Sequence, residues 1–149
     1  FGQVTLNITN GGAVTVGGNL SINSQSTLNI LLAGVGDPLL DVGGNAALYG
    51  ALNVDLADGF ALNQGDLFTL IDLTDAGGTV TGTFTGLSEG ESVGNFGGLD
   101  LLISYAGGDG NDVTLSAVPE PATLTLLAVG GIAILKRKRK SCGMRRRRK

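Results

Sequence analysis

Apolar and polar residues alternate with a period of two in several short stretches: Val4-Leu6-Ile8, Leu28-Ile30-Leu32, Leu52-Val54-Leu56 and Leu99-Leu101-Ile103-Tyr105. A period of two puts every second side chain on one face, which predicts half-buried β-strands. Glycine clusters separate these stretches, at Asn10-Gly11-Gly12, Gly17-Gly18-Asn19, Gly43-Gly44-Asn45, Gly77-Gly78 and Gly107-Gly108-Asp109-Gly110. Such clusters predict turns, because glycine alone enters positive φ without steric cost. No helical period occurs before Pro121, so residues 1–117 are expected to be all-β.

The strand pattern recurs. Val16-Gly17-Gly18-Asn19 and Val42-Gly43-Gly44-Asn45 begin 26 residues apart, Leu28-Asn29-Ile30 and Leu52-Asn53-Val54 lie 24 apart, and Leu6-Asn7-Ile8 precedes Leu28 by 22. Strand and turn units at this spacing predict the coils of a β-solenoid, each covering the apolar positions of its neighbours, with Asn at matching turns able to stack as a ladder. A β-sandwich has strands at similar spacing and is the alternative. The low aromatic content of 5% and the lack of Trp favour a narrow stack of Val, Ile and Leu. The first residues already read as mid-pattern strand, so the repeat region is expected to continue upstream of residue 1.

The pattern changes at residue 118. Val118-Pro119-Glu120-Pro121 is expected to break regular structure and form a hinge. Residues 122–135 carry no charge and, as a helix, would span about 21 Å at 1.5 Å per residue. That is short of a bilayer core of about 30 Å, but snorkelling Lys136 and Arg137 lengthen the span, so one short transmembrane helix is predicted. Residues 136–149 then form a basic tail.

Charge sharpens this division. All 10 Lys and Arg lie between Lys136 and Lys149, and all 13 Asp and Glu lie at or before Glu120. A body without cations repels nucleic-acid phosphates, so no nucleic-acid partner is expected. By the positive-inside rule, Lys136, Arg137, Lys138, Arg139 and Lys140 hold the tail in the cytoplasm while the acidic body is exported. Membrane lipid is thus the first expected partner, through the 122–135 helix. The lone Cys142 lies in the tail and His is absent, which removes internal disulfides, thiolate metal sites and the commonest general base from the body.

Little catalytic chemistry remains. The string Gly107 to Leu115 is close to the calcium-binding nonapeptide, with Asp109 and Asp112 as the candidate ligands. Its large apolar residue, Leu115, falls one place late and there is one copy, so a tight glycine turn is expected, with no metal and no cofactor. Acidic pairs such as Glu89 and Glu91, Asp72 and Asp75, or Asp109 and Asp112 could serve a glycosidase. Without Lys or Arg to hold an acidic polysaccharide, they read as solvated turn acids, and no catalytic residue is assigned. The alternative function is the end of a secreted carbohydrate-active enzyme whose catalytic coils lie upstream.

Two stretches carry resemblances. Val118-Pro119-Glu120-Pro121-Ala122, an apolar helix and a terminal basic cluster together resemble the PEP-CTERM sorting signal of Gram-negative-type bacteria. The resemblance implies recognition by an exosortase, a membrane-embedded cysteine protease, with removal of helix and tail near the Pro-Glu-Pro site. It further implies release or attachment at the cell surface, often linked to exopolysaccharide and biofilm. The strings Leu62 to Asp72, Gly82 to Glu91 and Leu99 to Leu115 give residues 14–117 a similarity to autotransporter-associated β-strand repeats. That similarity implies a right-handed parallel β-helix, surface exposed and adhesive or structural.

Overall fold

The computed structural model describes residues 4–9, 12–36 and 38–120. They contain β1 (Thr5–Thr9), β2 (Val14–Val16), β3 (Leu20–Ile22), β4 (Thr27–Leu32), β5 (Leu40–Val42), β6 (Ala46–Leu48) and β7 (Ala51–Leu56). There follow β8 (Leu67–Leu73), β9 (Val80–Gly82), β10 (Ser92–Phe96), β11 (Leu99–Gly107) and β12 (Asp112–Pro119). All of these lie in the first of two compact units, Phe1–Pro119.

The sequence repeat is realised as strand register. Leu6 pairs with Leu28 and Leu28 with Leu52 in the parallel sheet β1-β4-β7, and Val16 pairs with Val42 where β2 meets β5. A second three-stranded sheet, β3-β6-β9, is also parallel. Recurrence along the chain, at 22 to 26 residues, thus stacks like on like, and the inward positions Leu28, Ile30 and Leu32 of β4 alternate with less buried residues. They join Leu40, Val42, Leu48, Leu70 and Ile71 in one buried apolar cluster.

The remaining sheet departs from this plan and corrects the expected right-handed parallel β-helix. It is six-stranded, in the order β10-β11-β12-β8-β5-β2, and it is mixed. β2, β5 and β8 run parallel, whereas β12, β11 and β10 add to β8 as an antiparallel meander. The sheets are open, and no parallel β-helix runs on to residue 117. Turn length is the physical reason. A parallel neighbour needs a crossover of a dozen or more residues, whereas a two-residue loop can only reverse the chain. Gly97 and Gly98, at φ 66° and 88°, are the whole link between β10 and β11 and take the left-handed conformation that a tight hairpin requires. Among the described residues there is no helix, and none forms a span long and apolar enough to cross a membrane. The expected transmembrane helix over 122–135 and the basic tail lie outside the described residues.

Candidate functional site

The body's last strand leads straight into the Pro-Glu-Pro sequence. β12 lies inside the six-stranded sheet, with β11 on one side and β8 on the other. Ala117 donates its N–H to the Asp66 carbonyl at 2.9 Å and accepts from the Gly65 N–H at 2.9 Å, so its backbone groups face β8. Beyond that point only the β11 side continues, through Asp100 opposite Val118 and Leu99 opposite Pro119. Backbone groups alternate sides along a strand. The Pro119 nitrogen therefore faces the side where pairing has already ended at Gly65, and the missing N–H loses no ladder bond.

Val118 and Pro119 are thus the end of a strand rather than a break. Val118 is half-buried, and Pro119 and Glu120 are exposed. Pro121 and the basic residues Lys136, Arg137, Lys138, Arg139 and Lys140 lie outside the described residues.

The Gly107 to Leu115 string forms the end of β11, the turn and the start of β12. The Gly110 N–H closes the turn on the Gly107 carbonyl at 2.7 Å. A Cβ on Gly107 would meet the Thr114 side chain, and one on Gly108, at φ 53°, would run into the Asp112 carboxylate. Close packing of these two side chains is why glycine stands there. Asp109 is at the exposed tip, but Asp112 is buried, at 5% exposure. Its Oδ1 accepts the Leu73 N–H at 3.0 Å. Asn111 adds a second tie, its Nδ2 donating to the carbonyls of Asp75 at 3.4 Å and Gly78 at 3.3 Å.

Asp112 also acts on Asp72. Partial burial pushes the Asp72 carboxyl above its ordinary range, and so do the charge of Asp112, a side-chain hydrogen bond with it, and the charges of Asp41 and Asp109. Asp41 is the register partner of Asp72 across β5 and β8. The fold thus pairs Asp72 with Asp112 rather than with its sequence neighbour Asp75, whose Oδ1 accepts the Gly77 N–H at 3.0 Å. Among the described residues, no group of three or more His, Cys, Asp or Glu is placed to hold a metal ion. Glu89, of the acidic pair Glu89 and Glu91, accepts the Tyr105 N–H at 2.7 Å.

Tyr105 is the residue whose part the sequence did not announce. Its hydroxyl donates to the Leu87 carbonyl at 2.7 Å and accepts the Phe84 N–H at 3.0 Å. Burial pushes its pKa up, with the Phe84 N–H opposing that shift and the Glu89 charge adding to it. Asn side chains form the expected turn ladder, in which Asn19 Oδ1 accepts the Asn45 N–H at 2.8 Å and Asn45 Oδ1 accepts the Thr79 N–H at 2.9 Å. A second ladder runs along the strands, from Asn53 Nδ2 to Asn29 Oδ1 at 2.8 Å and from Asn29 Nδ2 to Asn7 Oδ1 at 2.7 Å.

Comparison with protein families matches residues 117–140 to the PEP-CTERM protein-sorting motif. This motif is a sorting signal for exosortase, a membrane protein, and marks an exported, membrane-associated precursor. Within the body the match covers only the end of β12, and the similarity of residues 14–117 to autotransporter-associated β-strand repeats finds no support. No curated protein and no solved structure matches the chain.

Proposed function

We propose that the chain is delivered to the cell surface as an exosortase substrate, and that its β-structured body serves there as a non-catalytic structural or adhesive module. The observation that carries this reading is the sorting motif at residues 117–140, which begins inside the body's last strand. In this reading residues 122–135 lodge in the membrane, Lys136, Arg137, Lys138, Arg139 and Lys140 stop transfer, and the protease reads Glu120 between its two prolines. Cleavage on the far side of Pro119 leaves the β11–β12 ladder whole, so the product keeps its fold. Association with exopolysaccharide and biofilm belongs to the same reading, as does either shedding or attachment of the mature body.

A non-catalytic role draws support from what the body's acids do. Asp112 holds the Leu73 N–H, Glu89 the Tyr105 N–H, and Asp66 the Asn63 N–H at 2.8 Å. In each case the carboxylate fastens backbone.

Replacing Lys136, Arg137, Lys138, Arg139 and Lys140 with Gln is the test, read by membrane fractionation and by intact mass of the surface-exposed form in the native host. Weakened retention and loss of the processed mass are expected. Unchanged fractionation with an unchanged processed mass refutes the assignment. Glu120→Gln is expected to accumulate the unprocessed mass while leaving membrane association intact.

A further inference from the structure

We propose that the first residues of the sorting motif form a latch: Val118 and Pro119 lie zipped against β11 and must peel from it before the protease can cut, while Ala117 stays fixed and stops the opening. This rests on the exosortase reading and adds to it what sets the rate of processing.

The match to the sorting motif begins at Ala117. That residue is tied to the β8 side by two bonds, its N–H to the Asp66 carbonyl and its carbonyl to the Gly65 N–H, each at 2.9 Å. Its side chain is 1% exposed. One residue further on the constraints change. Backbone groups alternate along a strand, so the N–H and C=O of Val118 face β11, where Asp100 is its register partner. Val118 and Asp100 are therefore a hydrogen-bonded antiparallel pair that exchanges both N–H···O=C bonds. Pro119 stands opposite Leu99, has no N–H to donate, and is exposed. Among the described residues, the backbone of Val118 and Pro119 is thus held from the β11 side by one such pair, whereas Ala117 is clamped from the β8 side and buried.

This contrast places the stop. Peeling Val118 and Pro119 breaks the Asp100 pair and uncovers a half-buried valine. Peeling Ala117 as well breaks both bonds to Asp66 and Gly65 and uncovers a core position. Local opening follows the weakest constraints, so it runs inward from the strand end and halts at Ala117.

A protease takes the residues on both sides of the scissile bond into its own cleft, and folded chains are cut through locally opened states. For a cut beside Glu120 the residues on the N-terminal side are Pro119 and Val118. While the latch is shut, β11 occupies the flank to which Val118 turns its backbone groups. When opening and closing are fast relative to the cut, the rate follows the open population. Asp100 sets that population from outside the motif. It faces Val118 across the strands, and its Oδ1 accepts the Asn95 Nδ2 at 2.9 Å, which fastens β10 to β11 behind the latch. Asp100 is a positioning residue in this scheme, and after the cut the same pair re-forms.

The test follows the full chain in its native host on a Cys142→Ser background, by pulse labelling and intact mass. Asp100→Cys with Val118→Cys places two thiols on a pair about 5.5 Å apart at Cα, within disulfide range. Oxidised, this lock is expected to slow the appearance of the processed mass about tenfold or more, and reductant is expected to restore it. Asp100→Gly weakens the strand opposite the latch and leaves the motif intact, so it is expected to speed processing about threefold. In the purified chain in mild detergent, the Val118 amide is expected to exchange its hydrogen about tenfold faster than the Ala117 amide.

A locked chain processed at the native rate overturns the proposal. So does an Asp100→Gly chain that is folded but no faster than the native one, or a Val118 amide protected as strongly as that of Ala117. If Val118→Cys alone blocks processing, Asp100→Gly decides. If Asp100→Gly loses its structure by circular dichroism, the lock decides. Absence of any processed mass from the native chain overturns the exosortase reading itself and the latch with it, an outcome distinct from a native chain that is processed and a lock that has no effect.

Discussion

Removing the Asp112 carboxylate separates a structural role from a calcium-binding one. Thr74 donates its N–H to the Val42 carbonyl of β5 at 3.0 Å, so the neighbouring Leu73 N–H faces the other way, toward β12. The backbone ladder there has already ended at the pairing of Val113 with Ile71. Asp112 Oδ1, 3.0 Å away, stands in for the missing carbonyl. Leu73 is 2% exposed, so water cannot replace it. In Asp112→Ala the orphaned donor costs about 2 kcal/mol. Relief of the repulsion on the largely solvated Asp72 returns about 0.5 kcal/mol, since screening keeps such terms small. A net loss of about 1.5 kcal/mol lowers the melting temperature by about 6 °C for a body of this size. Asp112→Asn keeps an acceptor and sheds the repulsion, so it is expected to stay within about 0.5 kcal/mol of the native chain. The assay is thermal unfolding followed by circular dichroism, with chelator and then with millimolar calcium. If Asn proves as damaging as Ala, and only when calcium is present, the carboxylate is a metal ligand and this reasoning fails.

Asp72 gives the opposite sign. Its carboxyl is raised above the ordinary 3.8, so the folded state favours the protonated form. The stability it contributes is present below that value and fades as pH rises through the folded pKa. Asp72→Asn is therefore expected to raise stability at neutral pH by about 0.5 kcal/mol after screening, with the gain vanishing in acid. Urea unfolding across the acid range checks this, and a gain that persists unchanged in acid refutes it. Tyr105→Phe strands the N–H of buried Phe84 and the Leu87 carbonyl, and is expected to cost about 2 kcal/mol in the same measurement. A variant as stable as the native chain would show that the hydroxyl carries none of this load.

The strands of the repeat were legible because their spacing is also their register. Leu6, Leu28 and Leu52 recur along the chain and pair in space. The direction of β10, β11 and β12 was not legible in the same way. Leu99-Leu101-Ile103-Tyr105 alternates identically in a parallel and an antiparallel sheet, and loop length decides between them. The turn at Gly107 to Gly110 was read as a tight turn, but the burial of Asp112 was not, because no local pattern tells which N–H will be left at the end of a neighbouring ladder. Pro119 was expected to break the chain. It stands in a strand because the only bond it removes lies on a side where none is made. Tyr105 looked like the last member of an alternation, and the partners that give it a role, Leu87 and Phe84, are set by tertiary packing.

The position of β12 has a consequence for timing. A chain exported from its N-terminus presents β8 well before, and β11 just before, the strand that must slot between them. Until that strand emerges, both flanks are bare and the parallel and antiparallel halves of the sheet are not yet joined. Completion of the body therefore waits on the strand in which the sorting motif begins.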